Sequence, residues 1–311
     1  MYHQQKRFRT ICAGLQLAAF GTMAAALATA PIARAGTCDP APTGTMVAWY
    51  PFDQTGPLNT AGQFTSANLA TQNSAAWDSP TLPVAVAGEV LGGLNFNGNS
   101  YIDAPDSIVT NFGPAGGATC TGGDYSTCQG NFSMDAWVNL TTVPLSGVNV
   151  IFDKRPSSEI GYSFYLYGQP GEDGGYPWMG LQLGDRAHGF TNYGSAPMGP
   201  GTGNPNTGLV GLTANAWHHV AVTVQRRGTT GILWYLDGYP VTSPTNIPTQ
   251  TGSLVNSVPL RIGANGPANS GGSNFNGSLD ELQIFNRALT ATEVLDIYNV
   301  NALSSGQCKP L

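Results

Sequence analysis

Short segments in which apolar and polar residues alternate recur along the chain, and glycine and proline separate one segment from the next. Alternation with a period of two puts every second side chain on the same face, which is the pattern of a half-buried β-strand. In Asn131–Thr141, for example, Phe132, Met134 and Val138 fall on one face. Glycine and proline provide 41 and 22 of the 311 residues, so turns are frequent and a coiled coil or helical bundle is excluded.

Ten segments have this strand composition, and one segment near the C-terminus is typical of a helix. The strand segments are 46–52, 90–98, 101–105, 131–141, 148–154, 162–168, 217–225, 231–238, 257–264 and 277–287. In the helical segment Thr290–Asn299, Thr290 is a suitable N-cap and Glu293 completes a capping box. Many short strands with one terminal helix predict an all-β protein, a β-sandwich or jelly roll. We expect one domain over residues 45–302, preceded by a segment 36–44 and followed by a tail 303–311.

The first 35 residues have the composition of a bacterial secretory signal peptide. Three basic residues within positions 6–9 precede an apolar stretch over 11–30, and Ala33-Arg34-Ala35 gives an A-x-A cleavage pattern. The alternative is a single membrane anchor, because the apolar stretch is close to long enough to span a bilayer. We favour a cleaved signal, and therefore expect a secreted or periplasmic protein with no membrane contact after cleavage.

The charge of the chain limits its partners. Only 10% of the residues are charged, the formal net charge is −6 and the isoelectric point is about 5.0. Nucleic acids and anionic membranes are bound through clusters of lysine and arginine, so this balance argues against both. The 6 Trp, 12 Tyr and 12 Phe residues are enough to form a large buried core, which argues against disorder.

Four cysteines, Cys38, Cys120, Cys128 and Cys308, remain after removal of the signal peptide, which contains Cys12. An even number in an exported chain indicates two disulfides, and three pairings are possible. We favour Cys120–Cys128, which closes a short polar loop, and Cys38–Cys308, which joins the two ends of the chain. A zinc site is the alternative, but the paired C-x₂₋₄-C spacing that such sites use is absent.

Six segments, in their order along the chain, resemble the laminin-G-like, concanavalin A-like jelly-roll family. They are WYPFD (49–53), GGLNFNGNSYI (92–102), FSMDAWV (132–138), WHHVAVT (217–223), YLDG (235–238) and FNGSLDELQIFNRALTATEVLDIY (275–298). The resemblance implies two curved antiparallel sheets packed face to face, with the first and last strands adjacent. That adjacency also supports the pairing of Cys38 with Cys308.

Members of this family frequently bind Ca²⁺ at the rim of the sandwich, and the resemblance places Asp53 and Asp280 where such a site could use them. Carboxylate and main-chain carbonyl oxygens are the ligands that Ca²⁺ prefers. The sequence departs from the family pattern after Asp53, because Gln54-Thr55-Gly56-Pro57 contains no carboxylate. The alternative is that both aspartates only cap turns.

Enzymes of this fold have recognisable carboxylate patterns. A retaining β-glucanase places its acid and nucleophile on one strand in an E-x-D-x-E or E-x-D-x-x-E pattern, and neither occurs here. Simple alternation predicts that the adjacent Asp280 and Glu281 point to opposite faces. No G-x-S-x-G sequence supports a Ser-His-Asp triad. We therefore name no catalytic residue and expect a secreted, non-catalytic, lectin-like binding or adhesion module for extracellular glycan or a protein surface. The alternative is a glycan-active hydrolase or lyase with a divergent site.

Aromatic and polar residues between positions 165 and 192 are candidates for binding carbohydrate. Aromatic faces stack on the C–H surfaces of sugars, while carboxylate, amide and guanidinium groups bind hydroxyls. The candidates are Tyr165, Tyr167, Asp173, Tyr176, Trp178, Arg186 and Asn192. The alternative is that alternate aromatics of the segment YSFYLYG (162–168) fill the core and the others anchor loops.

The disulfide assignment can be checked directly. Because each pairing links different peptides, non-reducing peptide mapping of the exported protein is expected to recover Cys38 linked to Cys308 and Cys120 linked to Cys128. Four free thiols, or a link between Cys38 and Cys120, would contradict the assignment.

Overall fold

The alternating segments form two antiparallel sheets. The computed structural model describes residues 46–53, 83–113, 130–143, 145–156, 160–168, 171, 173–185, 188–226, 231–247, 252–265 and 273–303. The chain divides into two units, Met1–Ala35 and Gly36–Leu311, and the described residues all belong to the second. The predicted signal peptide, the segment 36–44, the tail beyond Leu303 and all four cysteines of the predicted disulfides lie outside the described residues.

The described residues contain fourteen strands and one α-helix. They are β1 (Met46–Tyr50), β2 (Val84–Ala87), β3 (Gly92–Asn97), β4 (Ile102–Ala104), β5 (Phe132–Leu140), β6 (Gly147–Lys154), β7 (Gly161–Gly168), β8 (Trp178–Asp185), β9 (Gly189–Gly194), β10 (His218–Gln225), β11 (Gly231–Leu236), β12 (Tyr239–Pro240), β13 (Leu260–Ile262), β14 (Asn276–Phe285) and α1 (Ala291–Leu303). Three short 3₁₀ turns, at 108–110, 173–175 and 205–207, lie in the connections.

Eight strands form the larger sheet, in the order β12-β11-β10-β5-β14-β3-β2 with β1 also paired to β14. The other six form the smaller sheet, in the order β4-β13-β6-β7-β8-β9. Strand β14 is long enough to serve two partners on one edge, because β3 pairs with Asn276–Leu279 and β1 pairs with Leu282–Phe285. The first and last strands are therefore adjacent, and the predicted jelly-roll sandwich is confirmed.

The core lies between the two sheets and is built from every second residue of their strands. In β5 the buried inward residues are Phe132, Met134, Ala136 and Val138, as the alternation predicts. Aromatic contacts join the two layers, for example where the ring centroids of Phe132 of β5 and Tyr162 of β7 lie 5.6 Å apart. Burial of apolar surface of this kind is the main term that stabilises the sandwich.

Helix α1 begins at the predicted cap. The Thr290 amide donates to a carboxylate oxygen of Glu293 at 2.9 Å, and the Glu293 amide donates to Thr290 Oγ1 at 3.3 Å, so the capping box is present. The helix extends to Leu303, four residues beyond the predicted end. Within the part of the chain that the structure describes, no helix is both long and apolar enough to cross a membrane.

The helix lies against the outer face of the larger sheet, the face that points away from the sandwich core. Val294 and Ile297 belong to a second apolar cluster with Trp49 and Phe285 of that sheet. The ring of Tyr298, one turn after Val294, stacks on Trp137 with centroids 5.5 Å apart. Helix α1 thereby covers a sheet face that alternation alone would leave open to solvent.

A β-bulge interrupts β14 beneath this helix. Asp280 lies opposite Trp137 of β5, whereas Gln283 lies opposite Asp135, so β14 contains one more residue than its partner over this stretch. Glu281 at the bulge has a φ of 47°, in the left-handed region that residues with a side chain rarely adopt. The extra residue changes which way the following side chains point.

The bulge corrects the expectation that Asp280 and Glu281 point to opposite faces. Both side chains are buried. Asp280 is paired with Trp137, and the Glu281 carboxylate accepts a hydrogen bond from Trp49 Nε1 at 2.6 Å. Both tryptophans face α1, so both carboxyl groups lie on that side of the sheet. Simple alternation fails here because it assumes an unbroken pleat.

The Trp49–Glu281 hydrogen bond should be measurable in the stability of the fold. Trp137 is a matched control, because its ring is equally buried on the same face while its Nε1 has no hydrogen-bond partner. We expect Trp49→Phe to lower the free energy of unfolding by about 1–3 kcal/mol more than Trp137→Phe does, since only the first change removes a hydrogen bond to a buried side chain. Urea unfolding followed by circular dichroism measures the difference. Equal losses for the two variants would contradict it.

Candidate functional site

The outer face of the smaller sheet is the surface where most of the predicted carbohydrate-binding residues meet. In β7, Tyr162, Phe164 and Leu166 point into the core, which leaves Tyr165 and Tyr167 on the outer face. The alternation within YSFYLYG therefore sends one set of aromatics inward and the other outward. Neither of the two sequence interpretations of this segment describes it fully.

Three aromatic side chains form a continuous group on this face. Tyr167 of β7 lies directly opposite Trp178 of β8, and both are half-buried, as is Tyr165. The ring centroids of Tyr165 and Tyr167 are 5.9 Å apart, and those of Tyr167 and Trp178 are also 5.9 Å apart. We call Tyr165, Tyr167 and Trp178 the aromatic group.

Glycine provides the space over which these rings lie. Gly180 is paired with Tyr165, and a Cβ atom at Gly180 would lie 2.1 Å from the Tyr165 ring. On the next strand, a Cβ atom at Gly194 would lie 2.8 Å from the hydroxyl of Tyr167. The rings can therefore occupy the space above β8 and β9 only because these two strand positions have no side chain.

A row of polar side chains runs across the strands beside the aromatic group. The β-sheet register places Asp153, Ser163, Gln182 and Asn192 opposite one another on β6, β7, β8 and β9. We call these four residues the polar row. Four neighbouring strands span about 14 Å at the usual spacing. The Tyr165 hydroxyl connects the two features, because it donates to Asn192 Oδ1 at 3.4 Å.

Two ion pairs lie at the β13 end of this face. The Arg261 guanidinium donates to both carboxylate oxygens of Asp103 at 2.7 Å, and Arg155 donates from Nε to the carboxylate of Asp153 at 3.1 and 3.2 Å. The Tyr101 ring lies 3.8 Å from the Arg261 guanidinium carbon. Because each arginine is matched by an aspartate, the described charges of this face balance.

Tyr165 stays protonated over the whole physiological range. Burial, with a smaller contribution from the neighbouring Tyr167, raises its pKa to about 12, against an opposing effect of the Arg155 charge. The hydroxyl therefore remains a hydrogen-bond donor and the ring remains uncharged. Both properties suit a surface that stacks on an uncharged ligand.

The remaining predicted ligand residues divide into two groups. The Tyr176 ring packs between Gly174 and Gly199, where Cβ atoms would approach it to 2.9 and 2.6 Å, so Tyr176 anchors a loop. Asp173 lies in the turn before β8, but its side chain, like the whole of Arg186, lies outside what the structure describes. The predicted roles of Asp173 and Arg186 in binding stay predictions.

Two residues of this face were missed from the sequence. Gln182 completes the polar row. Phe190, which is 46% exposed, pairs with Gly184 and therefore lies on the opposite side of the polar row from Tyr165. Alternation within β8 and β9 would have found both, since Gln182 is two strand positions from Gly180 and Phe190 is two from Asn192. Residue type alone does not distinguish them in a segment so rich in glycine.

The two predicted calcium ligands contact the same turn, between β2 and β3. Asp53 Oδ1 accepts from the Gly92 amide at 3.2 Å, and Asp280 accepts from the Val90 and Glu281 amides at 2.9 and 2.8 Å. Over the described ranges, no group of three or more His, Cys, Asp or Glu side chains could hold a metal ion. The amide contacts are those that the turn-capping alternative predicts, and calcium binding stays a prediction.

The adjacent histidines of β10 contact different carboxylates. His218 Nδ1 lies 3.0 Å from Asp237 Oδ2, and His219 Nε2, which faces α1, lies 3.5 Å from Asp135 Oδ1. They share no metal site, in agreement with the structural role that their positions on opposite faces predict. Burial raises the pKa of Asp135, although its contact with His219 opposes this effect.

One arrangement around His218 looks like part of a catalytic triad and was not predicted. Thr213 Oγ1 lies 2.9 Å from His218 Nε2, on the side of the ring away from Asp237. The Thr213 amide also donates to the same Nε2 atom at 3.1 Å. His218 Nε2, which would have to accept the hydroxyl proton, already accepts a hydrogen bond from the backbone amide of Thr213. The three groups therefore tie a loop to the β11–β12 hairpin and do not activate a nucleophile.

The comparisons with known proteins agree with this architecture. The chain belongs to the concanavalin A-like lectin/glucanase superfamily, whose family model matches residues 96–295. No curated protein is similar enough to count as a relative of the sequence. The family is therefore shown by the match to its model and is consistent with the two-sheet fold.

Solved structures with the same fold include domains from bacterial toxins and from an enzyme. The binding domain of Paraclostridial Mosquitocidal Protein 1 is 16% identical with a TM-score of 0.53, and the match covers 82% of this chain and 52% of that one. The botulinum neurotoxin serotype G binding domain is 14% identical with a TM-score of 0.55, over 81% and 50%. Domain 4 of AbnA, a GH43 extracellular arabinanase from Geobacillus stearothermophilus solved with arabinotriose, is 18% identical with a TM-score of 0.50, over 81% and 97%. This chain spans about half of each toxin domain.

The buried Asp280 should make stability depend on pH. Burial raises its pKa to about 8, against about 3.9 in an unfolded chain, so between these values the unfolded state loses the proton that the folded state keeps. The free energy of unfolding should therefore fall as pH rises from 4 to 8, with about 1.4 kcal/mol per pH unit from this group. Asp280→Asn, which cannot ionise, should show a shallower slope in urea unfolding at a series of pH values.

The same variant separates this account from the calcium prediction. If Asp280 only caps the turn, EDTA should leave the melting temperatures of the wild type and Asp280→Asn unchanged. Chelator that destabilises the wild type but not the variant would support a calcium site instead. Equal pH slopes for the two proteins would contradict the raised pKa of Asp280.

Proposed function

We propose that this protein is a secreted, non-catalytic module that binds glycan on the outer face of its smaller sheet. The single observation that carries the proposal is the aromatic group beside the polar row. Three half-exposed rings with apolar faces adjoin four side chains that bear hydrogen-bonding groups. Sugars present the same two kinds of surface, C–H faces and hydroxyl edges.

The structure of the sheet makes this surface suitable for binding. Strand positions are more rigid than loops, so the rings keep their spacing whether or not a ligand is present, and less freedom is lost on binding. On the larger sheet, by contrast, α1 packs on the outer face and buries the aromatic residues Trp49, Tyr235 and Phe285. The binding domains among the structural neighbours, and the arabinotriose complex of the arabinanase domain, are consistent with a carbohydrate- or protein-binding role for this fold.

Two further parts of the proposal depend on the sequence. The signal peptide predicted over residues 1–35 supports export, where extracellular glycans are accessible. The absence of E-x-D-x-E and E-x-D-x-x-E patterns from the sequence supports a role in binding without hydrolysis. The alternative function is a glycan-active hydrolase or lyase with a divergent site, and the alternative ligand is a protein surface.

Binding should depend on the aromatic group. The ligand for this test is a glycan that the wild type binds on a glycan array. We expect Tyr165→Ala, Tyr167→Ala and Trp178→Ala each to weaken binding to it by about tenfold or more, equivalent to about 1.4 kcal/mol. Tyr239→Ala is the control, because Tyr239 is also half-buried but belongs to β12 of the other sheet. Isothermal titration calorimetry measures the affinities. Gly180→Ala should have a similar effect without removing a ring, since its Cβ would displace Tyr165.

The outcomes against the proposal are distinct. Equal affinities for the aromatic variants and the Tyr239→Ala control would place the site elsewhere. No binding to any glycan on the array, together with tight binding to a host or cell-surface protein, would favour the protein-surface alternative. Release of reducing sugar or unsaturated product that depends on one acidic residue would establish an enzyme.

A further inference from the structure

One polar side chain of the candidate site, Gln182, has no hydrogen-bond partner among the described residues. Gln182 lies in the middle of the polar row, on the outer face of β8, and is only 7% exposed. Its neighbours in the row are engaged, because Ser163 Oγ donates to the Phe152 carbonyl at 3.2 Å and Asn192 accepts from Tyr165. Among the described residues, none makes a hydrogen bond with the Gln182 amide.

The Gln182 side chain is nearly buried, but its amide atoms are not among the fully enclosed polar atoms of the described residues, so they can reach a ligand at the surface. Here the 7% of Gln182 that remains exposed opens onto the surface between Tyr165 on one side and Phe190 on the other. A ligand that stacks on these rings would bring its polar edge to the amide.

We propose that Gln182 determines specificity at this site by binding two neighbouring hydroxyls of a neutral glycan chain. The inference rests on the proposed glycan-binding function. An amide offers one acceptor oxygen and an NH₂ donor side by side. A vicinal diol offers the complementary pair, since one hydroxyl donates to Oε1 while the next accepts from Nε2. A carboxylate ligand would not match, because it could only accept.

The charges of the face favour the same class of ligand. Arg261 and Arg155 are each bound by an aspartate, Asp103 and Asp153, so neither guanidinium is left to bind an anionic sugar. All four side chains are at least nine-tenths buried. An anionic sugar could bind one of these arginines only by displacing its aspartate. The displaced carboxylate would then be buried without its ion-pair partner, which is strongly unfavourable.

The rings also indicate the form of the glycan. The Tyr165 and Tyr167 rings are tilted by 54° from each other, and the Tyr167 and Trp178 rings by 31°. Three rings with these angles do not form a flat platform, whereas the surface of a crystalline polysaccharide is flat. The aromatic group therefore fits a single soluble chain that turns between successive sugars.

The test compares Gln182→Leu with Gln225→Leu. Both changes keep the side-chain size and remove an amide, but Gln225 lies on β10 of the larger sheet. Probes are soluble arabinan, xylan and β-glucan as neutral chains, polygalacturonate as an anionic chain and microcrystalline cellulose as a flat surface. Affinity gel electrophoresis and pull-down measure binding, and thermal melting measures the stability of each variant.

We expect the wild type to bind one or more of the soluble neutral chains, and neither polygalacturonate nor cellulose. Gln182→Leu should lower the affinity by about tenfold to a hundredfold, as expected for the loss of one or two hydrogen bonds, while Gln225→Leu should not. The melting temperature of Gln182→Leu should not fall, because the amide that it removes has no hydrogen-bond partner in the described part of the chain. If Gln182 had only a structural role, Gln182→Leu would lower the melting temperature and leave the affinity unchanged.

The failure of this inference differs from the failure of the proposed function. If the wild type binds a neutral chain, the alanine variants of the aromatic group lose it and Gln182→Leu keeps full affinity, the role of Gln182 is overturned while glycan binding stands. Stronger binding to polygalacturonate or cellulose would overturn the ligand class. If no probe and no glycan on the array binds the wild type, the proposed function itself fails.

Discussion

The bulge in β14 is the constraint on which the arrangement of the larger sheet depends. On one side of it β14 pairs with β3, and on the other side it pairs with β1, so a single strand edge accommodates both the beginning of the domain and an internal hairpin. The extra residue brings Glu281 to the donor of Trp49, beside Asp280, which accepts from the β2–β3 turn. Two buried carboxyl groups at one site are costly, and the hydrogen bonds from an indole and three backbone amides offset part of that cost.

Much of the fold could be predicted because it depends on alternation and capping, which are local. The inward residues of β5 and the capping box of α1 follow directly from the sequence. The bulge could not be predicted, since it arises where β14 must pair with two strands that are remote in sequence. Two short strands, Val84–Ala87 and Tyr239–Pro240, were also missed, because so few residues show no period.

The candidate site was predicted in part, and the difference has a physical cause. Tyr165, Tyr167, Trp178 and Asn192 were identified by residue type, and the register brings them to one face. Tyr176 has the same chemistry but packs between two glycines of a loop, which only the folded chain reveals. Gln182 has an unremarkable side chain by type, and it is distinguished only by its neighbours. Sequence chemistry therefore finds candidates, while cross-strand register selects among them.

The position of helix α1 has a consequence for how the module presents its binding surface. Strand β1, where the described chain begins, lies in the larger sheet, and α1, where it ends, packs on the outer face of that same sheet. A support held at Met46 or against α1 would therefore adjoin the larger sheet. The aromatic group and the polar row, on the far side of the sandwich, would face away from such a support.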